Sequence, residues 1–143
     1  MQRLQRRRFV RSLPIVLCWA AAVACPQAAD IWIDPSSTAS HLVLQLGRKR
    51  GHPGDVVAGS LIVVDCAHMT GPIPDSVAVW SIWHPQTASL SRFVYGDLPD
   101  GFETRHSPQP LIPGCYVAEA GGVGHVKFLV NKDSSVTDAG RSW

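Results

Sequence analysis

Residues 111 to 130 read LIPGCYVAEAGGVGHVKFLV, and this run sets the class of the mature chain. Pro113 and Gly114 form a corner that no helix tolerates, because proline fixes its own backbone and lacks an N–H. Cys115 to Ala120 then predicts a strand, Gly121, Gly122 and Gly124 a turn, and His125 to Val130 a returning strand. Val126, Phe128 and Val130 share one face of that strand, the period-two stripe of a strand lying on a core. The run therefore reads as a β-hairpin, the last of the domain.

The same alternation recurs upstream. His41 to Leu46 places Leu42, Leu44 and Leu46 opposite His41, Val43 and Gln45. Ser60 to Cys66 is the most apolar stretch, with Ile62, Val64 and Cys66 opposite Leu61, Val63 and Asp65, and is expected at the centre of a sheet. Val77 to His84 carries Trp80 on one face and Trp83 on the other, which predicts some cover on both. Ser89 to Tyr95 alternates again. Ile31 to Ile33, with Trp32, is either a first short strand or part of a linker over residues 30 to 40. Arg48 to Asp55 reads as a basic, solvated turn, and Gly71, Pro72 and Pro74 mark another.

Gly96 to Pro110, with Pro99, Gly101, Pro108 and Pro110, excludes a helix or a central strand. Connections of this length are often functional or mobile, so Asp97, Asp100, Phe102, Glu103 and Arg105 are the candidate contact residues. Asn131 to Trp143 reads as a polar, disordered tail. No capped helical window follows residue 30, and about seven short strands separated by turns predict an all-β sandwich or open barrel over residues 41 to 131.

The formal charge of +2 hides an asymmetry. Arg3, Arg6, Arg7, Arg8 and Arg11 precede residue 30 and every acid follows it, leaving eight cations against eleven acids, a net charge of −3. A mildly acidic domain lacks the electrostatic footprint of a nucleic-acid binder. The basic residues precede the apolar run Leu13 to Ala24, and together they form a secretory leader over residues 1 to 29, too short in its apolar part to span a bilayer. Export to the periplasm or cell envelope is the expectation.

Arg6, Arg7, Arg8, Phe9, Val10 and Arg11 resemble the bacterial twin-arginine motif, the alternative being an ordinary basic leader. Ala22, Val23, Ala24 and Cys25 resemble the lipobox of bacterial lipoproteins, although Ala22 stands where leucine is usual and Pro26 follows the cysteine. That resemblance implies acylation of Cys25 and attachment to a membrane surface. Cleavage elsewhere, for instance after Ala29, and retention as an uncleaved anchor are the other outcomes.

Cys66, Trp80 and Cys115, separated by 14 and 35 residues, resemble the cysteine, tryptophan, cysteine order of immunoglobulin-type domains. Leu111, Pro113, Gly114 and Tyr116 resemble the corner that leads into the penultimate strand of fibronectin type III and related sandwiches. Both resemblances imply an immunoglobulin-like or fibronectin-like β-sandwich, and the first implies a disulfide between the sheets. Tyr116 directly follows Cys115, however, so the two face opposite ways. Either the disulfide lies away from the core between the sheets or Tyr116 is no corner residue. In an oxidising compartment Cys66 and Cys115 are expected to pair, and a loop of about 50 residues would stabilise the fold by about 4 kcal/mol.

No glycine-x-serine-x-glycine elbow occurs, and histidines are scattered singly, so a nucleophile with its base is not indicated. Cys66, His68 and Met69 offer soft and borderline ligands within four residues, which suggests a copper site on His68 and Met69 as an alternative. Cys66 has a competing partner, and no cofactor is called for. The expected function is non-catalytic binding of a protein or an envelope polymer through loops or a sheet edge. A metal-binding domain and a small exported enzyme are the alternatives.

Overall fold

The structure, a computed structural model, describes residues 28–69 and 75–140. Residues 1 to 27, with Cys25 and the export signatures, lie outside the described residues, as do Gly71, Pro72, Pro74 and Trp143. The strands are β1 (Asp30–Ile33), β2 (Val43–Gly47), β3 (Val56–Asp65), β4 (Trp80–Leu90), β5 (Arg92–Val94), β6 (Glu103–His106), β7 (Gly114–Ala120), β8 (Gly124–Val130) and β9 (Val136–Gly140). They form two antiparallel sheets, one of three strands in the order β1-β2-β5 and one of six in the order β6-β4-β3-β7-β8-β9. The fold is all-β, as the alternation predicts, and β3 lies inside the larger sheet.

One apolar cluster joins the two sheets. Ile31, Ile33, Leu42, Leu44, Leu46 and Phe93 enter it from the smaller sheet, and Leu61, Val63, Trp80, Ile82, Tyr116, Ala118, Val126 and Phe128 from the larger. The three-residue stripe of β8 is buried, as its alternation requires. A close approach shapes β2, because a Cβ at Gly47 would collide with the carbonyl oxygen of His52 as the basic turn returns. Arg50 of that turn folds back onto Asp138, Nη1 to Oδ2 at 3.1 Å, so this cation is committed to the fold.

Four expectations are corrected. The hairpin β7-β8 is not the last, because the chain turns through Asp133 and Ser134 and adds β9 along β8. The tail is thus a strand over Val136–Gly140, held by backbone pairing and by Asp138, whose Oδ2 also accepts from Ile33 N at 3.1 Å. The sandwich extends past 41 to 131 at both ends, since β1 is buried and β9 is paired. Ser89 to Tyr95 is divided, its first residues ending β4 in one sheet and Arg92–Val94 forming β5 in the other. Within Gly96 to Pro110, Glu103–His106 forms β6 at the sheet edge, where a short polar strand is tolerated.

Candidate functional site

Cys66 and Cys115 are bonded, with Cα atoms 5.4 Å apart and a sequence separation of 49. They lie across neighbouring strands, since Asp65 pairs with Tyr116 at the end of the β3-β7 ladder. The bond therefore sits within the six-stranded sheet and does not join the two sheets as in the immunoglobulin arrangement. Trp80 faces the core between the sheets, whereas the disulfide packs on the opposite face with Val64, Ala78, Val117, Ile62, Met69 and Val77. Residues 66–69 and 75–79 thus cover one end of the outer sheet face over a second small core. Tyr116 is a corner residue, its hydroxyl donating to Ile112 O at 3.0 Å and accepting from Ile112 N at 3.2 Å. Of the two outcomes posed by the adjacency of Cys115 and Tyr116, the first holds.

The candidate metal ligands are drawn into other contacts. His68 Nδ1 lies 2.8 Å from Asp65 Oδ1, which also caps the 3-10 turn Cys66–His68 by accepting from Ala67 N. Cys66 is in its disulfide, and Met69 packs on the second core. Among the described residues no three or more histidine, cysteine, aspartate or glutamate side chains are grouped to hold a metal ion.

The candidate contact loop divides. Phe102 is buried, set edge-on to Phe93 at 5.7 Å and to His84 at 5.1 Å, so it is a core residue and not a contact residue. Asp97, Asp100 and Glu103 are exposed. Tyr95 pins the loop's far end, its hydroxyl lying 2.7 Å from Gln109 O and 3.0 Å from Val79 O. Burial pushes the Tyr95 phenol up to about 12.

Arg105 belongs to a different constellation. On β6, Ser81 opposes His106 and Ile82 opposes Thr104, so Arg105 is the extra residue of a bulge. Bulges re-aim side chains, and here the guanidinium carbon lies 4.7 Å from the centroid of the Trp83 ring. Ser60 pairs with Trp83 and Ile62 with Ser81 across β3 and β4, so the four side chains share the outer face. They and Arg105 line an open groove of about 210 Å³. At its floor Ser81 is only 2 % exposed, and its Oγ has no hydrogen-bond partner. A serine with no base in reach is not an activated nucleophile, whereas a desolvated hydroxyl beside an arginine and an indole is suited to holding a polar ligand.

Sequence reasoning named Trp83 and Arg105 separately but missed Ser60, Ile62 and Ser81 as their companions. The available signal was the small polar Ser81 between Trp80 and Ile82, on the face that Trp83 shares. Among the described residues no helix is long and apolar enough to cross a membrane. No family model, curated protein or solved structure matches the chain.

Proposed function

We propose that the chain is an exported cell-envelope domain that binds another protein or a surface polymer without catalysing a reaction. The leader delivers it, and acylation of Cys25 would tether it to a membrane surface with no spanning helix. A fibronectin-like sandwich is the finer fold reading. The corner bonds of Tyr116 support it, and the placement of the disulfide within one sheet weighs against the immunoglobulin version.

The observation that carries the binding role is the outer-face groove with its unpartnered Ser81 hydroxyl. An amide-shift titration of the oxidised domain with purified surface polymer, and separately with solubilised envelope proteins, tests it. The reading expects shifts clustered at Ser60, Ile62, Ser81, Trp83 and Arg105 with one of the two. No shift with either, or shifts only at loops remote from the groove, would count against it.

A further inference from the structure

The edge of β1 that faces away from β2 is closed by side chains instead of a strand. Asp34 N donates to Val43 O at 2.9 Å, so in the antiparallel alternation Trp32 bonds toward β2, while the N–H and C=O groups of Ile31 and Ile33 point the other way. Three charged side chains meet them there. Asp30 Oδ1 accepts from Ile31 N at 2.7 Å, Arg50 Nη2 donates to Ile31 O at 3.5 Å, and Asp138 Oδ2 accepts from Ile33 N at 3.1 Å. Asp138 Oδ2 also accepts from Arg50 Nη1 at 3.1 Å, its Oδ1 accepts from Gly140 N of β9 at 2.8 Å, and Arg50 Nε lies 3.9 Å from Asp30 Oδ2. One guanidinium thus stands between two carboxylates, one on each side of the seam where the two sheets meet.

Beyond the binding role, we propose that β1 is a strap, closed by this ionic seam and able to open without the larger sheet, with Arg50 as its release point. Its only backbone ladder is with β2, whereas β3 and β7 are paired on both sides. The side chains of Arg50, Asp138 and Asp30 are 41 %, 23 % and 14 % exposed, so dissolved salt screens this closure, as it does not screen a ladder of neutral amides. Without the Arg50 charge, Asp30 and Asp138 would face each other with like charge, and the seam would change from attraction to repulsion. Trp32 reports the state of the strap. It is buried, and its Cη2 lies 3.1 Å from where a Cβ would stand at Gly47, at the start of the turn that carries Arg50. Asp30 directly continues the chain from residues 1 to 29, so a pull on that segment loads β1 before the larger sheet.

Amide exchange of the oxidised protein, followed by NMR between about 0.05 and 0.5 M sodium chloride, tests the strap. Ile31 and Ile33 should exchange through one shared opening, about tenfold or more faster than Val63 and Val117 once intrinsic rates are divided out. Added salt should speed them about twofold or more relative to Val63. In Arg50→Gln the same two amides should exchange about fivefold faster than in the native protein, and the Trp32 indole N–H, identified through W32F, should shift. There added salt should slow them, because it screens a repulsion. Exchange of Ile31 and Ile33 only at the rate of Val63 and Val117, a salt effect of the same sign in both proteins, or an unmoved Trp32 in Arg50→Gln each overturns the strap. A native protein in which salt leaves the ratio of Ile31 and Ile33 to Val63 unchanged overturns it too, and that arm needs no variant to fold.

Discussion

Cys115 and Tyr116 are chain neighbours that face opposite ways, and their contrast divides the larger sheet into an inner and an outer surface. Tyr116 packs in the core, stacked on Phe128 at 5.5 Å, and closes a corner with Ile112. Tyr116→Phe keeps the ring and deletes both hydrogen bonds, and should lower unfolding free energy by about 1–2 kcal/mol in urea titration. Tyr95 gives a pH signature. Its phenol titrates ordinarily at 10.0 and in the fold at about 12, chiefly because burial disfavours the phenolate. The native state thus holds the proton more tightly, so this contribution is complete below about pH 10 and is lost as pH climbs through about 12. Denaturation midpoints should fall across that interval, and Tyr95→Phe should flatten the fall. The opposition of Trp80 to Trp83, and of Cys115 to Tyr116, was legible from strand parity alone. Which member faced inward was not, because parity says nothing about where the second sheet lies. The lack of a partner for Ser81 depends on three strands and a bulge, and no reading of β4 by itself contains it.

At the scale of elements, the disulfide fastens the end of β3 to the start of β7 beneath a covering segment, while the core between the sheets lies on the other side. Cys66→Ala with Cys115→Ala should cost about 4 kcal/mol by the chain-entropy argument. Hydrogen exchange should accelerate over residues 66–69 and 75–79 well before it does in β1, β2 and β8. Uniform acceleration would show that the outer cluster is not a separate unit. The edge strands make a second case. Truncation after Ser135 removes β9 and uncovers the backbone edge of β8, so the shortened chain should self-associate in size-exclusion chromatography. β2, β3, β7 and β8, with their apolar stripes, were readable to within a few residues, whereas β1 was readable only as strand or linker and the division between β4 and β5 was misplaced. β6 and β9 were not readable, since ETRH and VTDAG carry no core stripe and are recruited by ladder bonds to strands already in place.

Residues 1 to 29 are cationic and apolar, whereas the residues from 30 onward, which form the disulfide-bonded sandwich, carry a net negative charge. The disulfide between Cys66 and Cys115 is compatible with the export that we propose from residues 1 to 29. The binding that we propose uses the outer face of the larger sheet, where Trp83, Arg105 and Ser81 line the groove. Copper retention or turnover would have to arise elsewhere than at Cys66, whose sulfur is engaged. Intact-mass spectrometry of the protein isolated from its own cells, without reductant and with free thiols alkylated, reads compartment and fold together. The account predicts a chain cleaved within or at the end of residues 1 to 29, with Cys66 and Cys115 unalkylated, and a diacylglycerol mass if Cys25 is the new N-terminus. A full-length chain with both cysteines alkylated would contradict it.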